Sequence, residues 1–510
     1  MGFSPYITKF WNWNRMEKSM LLSQLLKKSD YKLMQGSLET EVSSVIYDTR
    51  KEIMPGSCFV CISGTVFDGH NYAKEAAQKG AAVIVAERYL ELPQEVTLIV
   101  TNDNRKALAQ ISAAWFGYPA EQLRMIGVTG TKGKTTTACM IRSILSEAGI
   151  RTDLIGTIEI TVNGIATPAS HTTPESYVLQ EYLRKMVDAG TECVVMEVSS
   201  QGLKLSRVEG ITFDIAVFTN LEPDHIAPGE HPDFADYLYC KSLLFQRCNV
   251  GIANIEDENF EAMFCNATCE LKTFGLVSDS DYMAENVDLY NRNGVVGVQF
   301  DMVGPDEVTF PITVAVPGKF NVYNALAATA VCLQMGVPAQ VIQQSMTKVA
   351  VRGRVELVPV SDKFSVMLDY AHNGMSLRSL LTTLREYKPK RLVCVFGCGG
   401  NRAKDRRFEM GEISSEYADL TIVTSDNPRF EEPEAIIEDI LTGVRRKNGK
   451  YETIIDRKEA IRYVLSIAEE GDLVVVAGKG HEDYQEIRGV KYPMDDRKMI
   501  REAADELSLS

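Results

Sequence analysis

The chain has 510 residues, 45% of them hydrophobic and 24% charged, and its formal net charge at pH 7 is −15. This composition is typical of a soluble globular protein of about two to four domains, and the negative charge argues against a nucleic-acid-binding protein. No apolar stretch approaches the roughly 20 residues of a membrane span, and the N-terminus lacks a signal-peptide core. With 11 scattered cysteines, we expect a protein of the reducing cytoplasm.

Residues 1–19 form a predicted N-terminal extension, because a helix-like spacing of leucines begins only at Met20. From there to the end, strand-like apolar runs alternate with helix-like segments, which predicts an α/β fold built on parallel sheets. The clearest predicted strands are 82–86, 193–197, 215–218, 392–396, 421–424 and 473–477. Polar stretches predict two linkers, and these divide the chain into domains at 20–118, 119–347 and 348–510.

Two further segments are predicted to be structural. Cys58 and Cys61 have the spacing of a metal or redox motif, but their flanks alternate like a strand and no second such pair follows. We therefore expect two buried thiols at these positions. Residues 281–316 alternate like antiparallel strands, which predicts a side sheet on the middle domain.

The most informative segment is the glycine-rich run 127–137, which lies between a predicted strand and a predicted helix. Such a turn surrounds a polyphosphate with backbone N–H groups and one lysine, here Lys134. Thr135 is placed to bind Mg²⁺ through its hydroxyl. Val128 stands where the standard loop has its first glycine. The loop therefore predicts a nucleoside triphosphate site of a non-standard kind.

Polar side chains follow two predicted strands of the same domain. Glu197 ends the run 193–197, and His225 follows the run 215–218. The carboxyl ends of parallel strands meet at one sheet edge, where doubly wound folds bind their ligands. We therefore expect Glu197 to bind Mg²⁺ beside the triphosphate and His225 to complete a metal site. A solvated strand-end carboxylate and a structural histidine are the alternatives.

Three motifs of the last domain also follow predicted strands. They lie at 397–402, 426–429 and 478–482, and glycines in two of them allow a ligand to approach the backbone closely. Each motif alone is a weak signal. Together they predict one binding site at the carboxyl edge of the third sheet.

These motifs together resemble those of the Mur ligases of peptidoglycan synthesis, in the order of that family, over about residues 20–500. Further similar motifs lie at 48–50, 68–70, 172–175, 197–200, 318–324, 353–354 and 369–372. The resemblance implies a UDP-binding α/β domain, a central P-loop ATPase domain with a parallel sheet, and a C-terminal Rossmann-like domain. It also implies that ATP activates a substrate carboxylate as an acyl phosphate, which an incoming amine then attacks.

The resemblance implies roles for individual residues. The implied ATP contacts are Gly130, Thr131, Lys132, Gly133, Lys134, Thr135, Thr136, Asn321, Asn324, Arg354, Asp369 and His372. The implied contacts of a UDP-N-acetylmuramoyl-dipeptide are Tyr47, Thr49, Arg50, Asp68, His70, Thr172, Thr173, Ser199 and Arg207. The implied contacts of the incoming amino acid are Arg402, Asp426, Asn427, Pro428, Arg429, Gly478 and Glu482.

By the same resemblance, the catalytic residues are Lys134, Glu197, His225 and Lys241. Mg²⁺ is expected at Thr135 and Glu197, and a second Mg²⁺ at His225 and Lys241. Lys241 matches a lysine that CO₂ converts to a carbamate in this family, which turns an ammonium into a carboxylate-like metal ligand. Without the resemblance, Lys241 would be interpreted as a solvated surface lysine.

Arg429 bears on the choice of amine, because a guanidinium pairs well with a second carboxylate. The resemblance therefore favours meso-diaminopimelate, while L-lysine or another amine stays open. Departures from the family pattern at Asn401, Gln201 and 226–233 also leave open a nucleotide-binding paralogue without ligase activity. The first domain and the motif at 426–429 argue against a folylpolyglutamate-type ligase. We expect a monomer.

Overall fold

A computed structural model of the protein describes residues 19–64, 67–224, 226–227, 229–292, 295–305 and 308–509. The expectations for residues 1–18 and for His225 lie outside the described residues. Three large sheets with their helices follow one another along the chain, and the predicted α/β architecture is confirmed. Within the described ranges, no helix is both long enough and apolar enough to cross a membrane.

The first region contains β1 (Met20–Leu21), α1 (Leu22–Leu25), β2 (Lys32–Gln35), β3 (Glu41–Val42), β4 (Ser44–Ile46), β5 (Ser57–Val60), α2 (Ala73–Gln78), β6 (Ala81–Ala86), β7 (Thr97–Val100) and α3 (Asn104–Trp115). Its sheet has the order β2-β7-β6-β5-β4, with only β2 antiparallel to its neighbour. Cys58 and Cys61 are buried free thiols, as expected. Burial raises the pKa of each to about 12, so both are neutral core residues.

The middle region contains β8 (Arg124–Thr129), α4 (Lys134–Glu147), β9 (Thr152–Ile155), β10 (Glu159–Val162), β11 (Ile165–Pro168), α5 (Ser176–Asp188), β12 (Cys193–Glu197), α6 (Ser200–Lys204), β13 (Phe213–Phe218), α7 (Phe234–Ser242), β14 (Cys248–Asn254), α8 (Phe260–Phe264), β15 (Glu270–Gly275), β16 (Tyr282–Arg292), β17 (Val295–Val303), β18 (Thr309–Val314), α9 (Phe320–Gln334) and α10 (Ala339–Met346). These strands form one sheet in the order β11-β10-β9-β12-β8-β13-β14-β15-β16-β17-β18. Its centre is parallel, and antiparallel strands extend it at both ends.

The antiparallel strands predicted within 281–316 are present as β16, β17 and β18, but they form no separate side sheet. Tyr282 pairs with Phe274 and Met283 with Gly275, so β16 joins the edge of β15 and continues the main sheet. The prediction was wrong on this point because alternation reveals the two faces of a strand but not the strand beside which it lies.

The central strands are buried on both faces because apolar cores lie on both sides of the sheet. In β12, Cys193 and Val195 pack into one core, and Val194 and Met196 pack into the other. Successive side chains of a strand point to opposite faces, which explains why this strand is a continuous apolar run in the sequence. Its last residue, Glu197, lies at the carboxyl edge of the sheet.

The last region contains β19 (Glu356–Leu357), β20 (Ser365–Asp369), α11 (Gly374–Arg385), β21 (Arg391–Phe396), α12 (Asp405–Tyr417), β22 (Leu420–Val423), α13 (Pro433–Arg446), β23 (Tyr451–Thr453), α14 (Arg457–Ser466), β24 (Asp472–Ala477), β25 (Tyr484–Ile487), β26 (Val490–Pro493) and α15 (Asp496–Glu506). Its main sheet has the order β19-β20-β24-β21-β22-β23, and only β19 is antiparallel. The hairpin of β25 and β26 lies outside that sheet.

A buried hydrogen-bond bridge at Tyr387 joins the middle and last regions. The Tyr387 hydroxyl accepts a hydrogen bond from Gly318 N at 2.8 Å and donates one to Gly297 O at 2.9 Å. Burial raises the pKa of Tyr387 to about 12, which keeps the hydroxyl protonated and able to donate. Because Gly318 lies just before α9, the bridge fixes the last region against the start of that helix.

Tyr387→Phe should weaken this junction. The change removes the hydroxyl and leaves the buried N–H of Gly318 unpaired, at a cost of about 1–3 kcal/mol. We expect a drop of a few degrees in the thermal unfolding midpoint, measured by calorimetry. Tyr417→Phe is the control, because the Tyr417 hydroxyl accepts its hydrogen bond from Arg378 at the surface. Equal midpoints for the two variants would contradict the assigned role.

Candidate active site

The glycine-rich run joins β8 to α4, and two of its glycines are required by geometry. Gly130 and Gly133 have φ angles of 147° and 85°, a region that other residues rarely adopt. A Cβ at Gly130 would collide with Thr219 Oγ1, and one at Gly133 with Asn324 Oδ1. The loop is therefore held tightly against its neighbours, and it opens onto the N-terminus of α4, where free N–H groups favour an anion.

Two lysines meet beneath this loop. Lys134 Nζ donates to Gly130 O at 2.8 Å and to Thr131 O at 2.9 Å, and Lys241 Nζ donates to Gly130 O at 2.8 Å. Lys241 is only 1% exposed. Its burial, together with the charge of Lys134, lowers its pKa well below that of an ordinary lysine. Burial also lowers the pKa of Lys134, against the opposing effect of Glu197.

Glu197 is buried among hydroxyl groups. Thr135 Oγ1 and Thr157 Oγ1 each donate to Glu197 Oε2 at 2.9 Å, and Thr157 N donates to Oε1 at 2.9 Å. A Cβ at Gly156 would lie 2.5 Å from Oε1, so a larger residue there would displace the carboxylate. Hydroxyl and carboxylate oxygens are the ligands that Mg²⁺ prefers. The donor set at Thr135 and Glu197 therefore fits the predicted metal.

Other predicted ATP contacts surround the same loop. Thr137 Oγ1 donates to Asn324 Oδ1 at 3.3 Å, and Asn324 Nδ2 donates to Asn321 Oδ1 at 2.8 Å, which ties the start of α9 to the start of α4. Lys132 is exposed and its Nζ lies 2.6 Å from Glu222 Oε2. Thr136, on the first turn of α4, is half-buried.

The predicted muramoyl-substrate contacts of the middle region form one network. Thr173 Oγ1 donates to the last carbonyl of β12 at 3.0 Å and accepts from Ser199 N at 2.9 Å. Arg207 Nη1 donates to Thr173 O at 2.9 Å, and its Nε lies 3.5 Å from Glu175. Thr172 Oγ1 shares a 3.1 Å hydrogen bond with Thr157, so this network adjoins the predicted metal ligands.

In the first region, Tyr47 faces the middle region. Its ring centre lies 6.0 Å from that of Tyr177 on α5, and Lys51 Nζ lies 5.5 Å from the Tyr47 ring. Burial, with smaller effects of nearby carboxylates, raises the pKa of Tyr47 to about 12. Thr49 is half-buried, and Arg50 is exposed, with its guanidinium 2.7 Å from Asp48.

Asp68 and His70 bond to each other and to the first sheet. His70 Nδ1 lies 2.6 Å from Asp68 Oδ1, and His70 Nε2 accepts from Glu87 N at 3.0 Å. Against the effect of burial, hydrogen bonds from His70 and Arg88 lower the pKa of Asp68. His70 is buried, so these two residues shape the loop at the sheet edge.

The start of the last region holds Arg354, Asp369 and His372. The Arg354 guanidinium lies 5.4 Å from the centre of the Tyr370 ring, and the His372 ring lies 4.6 Å from it. Each carboxylate oxygen of Asp369 accepts a backbone N–H at 2.8 Å. Burial raises the pKa of Asp369, and these hydrogen bonds oppose that effect.

Arg429 is held in place by its own domain. It has a φ angle of 52°, its Nη1 donates to Gly400 O at 2.8 Å, and its Nε donates to Glu486 Oε2 at 3.1 Å. Asn401 accepts a hydrogen bond from Phe430 N at 3.1 Å, which ties the glycine-rich loop to the segment after Arg429. The departure at Asn401 therefore keeps these two loops connected, and asparagine suits its own φ angle of 54°.

The other predicted amino-acid contacts lie beside Arg429. Glu482 accepts a hydrogen bond from Asn427 Nδ2 at 3.0 Å, and Asn427 N donates to Asp426 Oδ1 at 2.5 Å. Gly478 has a φ angle of 108°, and a Cβ there would lie 3.0 Å from Asp426 Oδ2. Pro428 is buried. Arg402 is exposed on the neighbouring loop and stands apart from this group.

One buried cluster was missed at the sequence level. His231 is 0% exposed, its Nδ1 lies 2.6 Å from Asp236 Oδ2, and its Nε2 lies 2.9 Å from Ser200 Oγ. Its ligand atom lies within 4.8 Å of those of Asp236 and Cys240, a set that can hold a metal ion. However, Lys204 Nζ lies 2.8 Å from the same Asp236 oxygen and competes with a cation. The sequence feature that could have indicated this cluster is the departure from the family pattern at 226–233, which contains His231.

A cavity of about 500 Å³ adjoins the predicted metal site. Its lining includes Thr135, Cys139, Arg142, Glu159, Glu197 and Arg352. The arrangement thus brings an anion-binding helix start, two lysines, a carboxylate and hydroxyl groups together at one sheet edge. Such a set can hold a polyphosphate and transfer its terminal phosphoryl group.

Family profiles match three parts of the chain. The profile described as "Mur ligase family, catalytic domain" matches residues 41–116, "Mur ligase middle domain" matches 128–332, and "Mur ligase, glutamate ligase domain" matches 353–480. The solved structure of Mycobacterium tuberculosis folylpolyglutamate synthase complexed with ADP covers 72% of this chain and 90% of that chain at 19% identity. Its TM-score of 0.56 shows a shared fold.

Closer similarity is found with proteins named UDP-N-acetylmuramoyl-L-alanyl-D-glutamate–2,6-diaminopimelate ligase. The one from Syntrophomonas wolfei is 41% identical over 490 residues, 95% of this chain and 99% of that protein. The one from Bacillus licheniformis is 41% identical over 503 residues, 96% of this chain and 100% of that protein. A solved structure with this name covers 97% of this chain and 100% of that chain at 29% identity, with a TM-score of 0.74. The chain therefore belongs to the Mur ligase family of ATP-dependent, peptide-bond-forming ligases.

Proposed function

We propose that the protein joins 2,6-diaminopimelate to UDP-N-acetylmuramoyl-L-alanyl-D-glutamate in peptidoglycan synthesis, with consumption of ATP. The names and the near-complete coverage of its relatives support these substrates. The observation that carries the choice of amine is the group of Asn427, Arg429 and Glu482, which offers N–H donors beside a carboxylate. This group matches an amino acid whose far end carries both a carboxylate and an ammonium.

In this proposal, Lys134 and the N–H groups at the start of α4 hold the triphosphate of ATP. Thr135 and Glu197 would hold Mg²⁺, whose charge would offset the repulsion between the substrate carboxylate and the γ-phosphate. A carboxylate oxygen of the dipeptide attacks the γ-phosphorus, and ADP leaves. The amine then attacks the acyl carbon, loses a proton and displaces phosphate, which completes the amide bond.

Lys241 is the candidate for modification by CO₂. Only a neutral amine attacks CO₂, and the lowered pKa of Lys241 makes the neutral form available at lower pH than in a surface lysine. A carbamate there would replace the repulsion between two ammonium groups by an attraction to Lys134. With His225, it would supply ligands for a second Mg²⁺, as the resemblance implies.

The UDP-linked substrate is proposed to bind between the first and middle regions. Tyr47, Thr49 and Arg50 lie on the first-region side, and Thr173 and Arg207 lie on the other side. The dipeptide carboxylate would then reach the cavity beside Glu197. Because both ATP and a nucleotide-linked precursor are required, we expect the reaction to take place in the cytoplasm.

The reaction is tested with a panel of amines. The purified protein, with ATP, Mg²⁺ and UDP-N-acetylmuramoyl-L-alanyl-D-glutamate, should release phosphate when diaminopimelate is added. The UDP-linked product should be heavier than its precursor by the mass of diaminopimelate less one water. L-Lysine should support turnover at least about tenfold less well, because Arg429 then lacks its carboxylate partner. Turnover with lysine but not diaminopimelate would refute the amine assignment, and no amine-dependent release would refute the ligase.

The role of Lys241 is tested by Lys241→Ala, which should lower turnover about 100-fold or more, as expected for loss of one charge-stabilising group. Short carboxylic acids should partly restore activity to this variant. They should not restore Lys134→Ala, which is the matched control because both lysines bond Gly130 O. With ¹³C-bicarbonate, the wild-type carbamate NMR signal should grow as pH rises through the lowered pKa. Unchanged activity in Lys241→Ala would refute the role.

The metal site is tested by Glu197→Gln, which keeps the shape of the side chain but removes its charge. The Mg²⁺ concentration for half-maximal turnover should rise about 10- to 100-fold. Glu159→Gln is the control, since Glu159 lines the same cavity but pairs with Arg142. An equal Mg²⁺ requirement in the two variants would argue against Glu197 as a ligand.

A further inference from the structure

A fully buried lysine lies beneath the proposed amino-acid site, and the mechanism above does not use it. Lys479 is 0% exposed. Its Nζ donates to Asn427 Oδ1 at 3.1 Å and to Glu482 Oε2 at 3.2 Å, and it lies 5.3 Å from the centre of the Tyr484 ring. A buried ammonium is costly unless it is paired and hydrogen-bonded. Both of its hydrogen-bond partners named here belong to the proposed binding group.

Lys479 and the backbone N–H of Glu486 together determine how the amide of Asn427 is turned. Asn427 Oδ1 accepts hydrogen bonds from Lys479 Nζ and, at 2.8 Å, from Glu486 N. Neither donor has an acceptor lone pair, so an amide rotated by half a turn would set N–H against N–H. The oxygen must therefore face Lys479, and Nδ2 must face Glu482, which accepts from it at 3.0 Å.

The same ammonium fixes one oxygen of Glu482. Glu482 Oε2 accepts from both Lys479 Nζ and Asn427 Nδ2, and its other oxygen lies 3.4 Å from the Tyr370 hydroxyl. The Glu482 side chain stays 18% exposed, so it can meet a ligand although it is anchored from below. Because Glu482 is already held in one rotamer, its side chain loses little conformational entropy when a ligand binds.

We propose that Lys479 is a positioning residue that determines amino-acid specificity. Through Asn427 and Glu482 it holds N–H donors and a carboxylate beside Arg429, in the arrangement that complements an amine with a zwitterionic far end. The inference rests on the proposed function and extends it, because it assigns part of the selection to a side chain that lies beneath the substrate.

The test is Lys479→Met, which removes the donors and retains much of the side-chain volume. The KM for diaminopimelate should rise at least about tenfold, as expected for loss of buried charge-assisted hydrogen bonds. The kcat at saturation, and the KM for ATP and for the UDP-linked dipeptide, should stay close to the wild-type values. Lys491→Met is the matched control, since Lys491 is exposed and its Nζ lies 3.9 Å from the centre of the same Tyr484 ring.

A double-mutant cycle with Asn427→Ala separates positioning from a general structural role. If Lys479 acts partly through Asn427, the double variant should raise the KM by clearly less than the product of the two single-variant increases, with the remainder acting through Glu482. If the KM of the double variant rises by the full product of the two single-variant increases, the inference is overturned. A loss of kcat with unchanged KM in Lys479→Met would also overturn it. If Lys479→Met does not fold, Lys479→Gln replaces it in the same cycle.

The amines that the wild-type enzyme uses distinguish a failure of the proposed function from a failure of the role assigned to Lys479. If it uses only amines that lack a second carboxylate, the proposed function and the ligand class assigned here both fail. If it uses diaminopimelate and Lys479→Met has the wild-type KM, the proposed function stands and the positioning role of Lys479 is overturned.

Discussion

One carbonyl oxygen, that of Gly130, receives hydrogen bonds from two lysine side chains, one at the start of α4 and one on α7. Two ammonium groups at one oxygen repel each other, and the repulsion is strong away from water. Burial lowers the pKa of both Lys134 and Lys241, and the charge of Lys134 lowers that of Lys241 further. The buried carboxylate of Glu197, on the neighbouring strand β12, opposes this shift at Lys134, and Asp224 opposes it at both lysines. A polyphosphate would satisfy the charge of Lys134, and the carbamate proposed at Lys241 would remove the repulsion between the two side chains.

The proposed amino-acid site of the last region combines side chains of both charges. Under the proposed function it would recognise a ligand with both charges, and the side chains that would do so are already held by their neighbours. Arg429 is held by Gly400 O and Glu486, and Asn427 and Glu482 are held by Lys479 from below. Side chains fixed before binding lose little rotamer freedom when the ligand arrives.

The proposed ATP and amino-acid sites lie on different sheets, so the proposed reaction would require the middle and last regions to approach each other. The bridge at Tyr387 ties the last region to the start of α9, which itself contacts the glycine-rich loop through Asn324. Any closing movement would therefore turn about a junction that is continuous with the ATP site.

The sequence by itself determined the fold class, the glycine-rich loop and most of the proposed site. Strands such as β12 and β24 are buried on both faces and are therefore continuous apolar runs that end in polar side chains. It did not reveal that β16 continues the main sheet, because alternation carries no information about the neighbouring strand.

Only the tertiary structure decided which polar groups meet and which are buried. Lys241 and Gly130 are 111 positions apart, and Lys479 and Asn427 are 52 apart, yet each pair forms a hydrogen bond. The same is true of the buried His231, which contacts Ser200 across 31 positions. Hydrogen-bond partners and lowered pKa values depend on groups that folding brings together, and local sequence patterns do not contain that information.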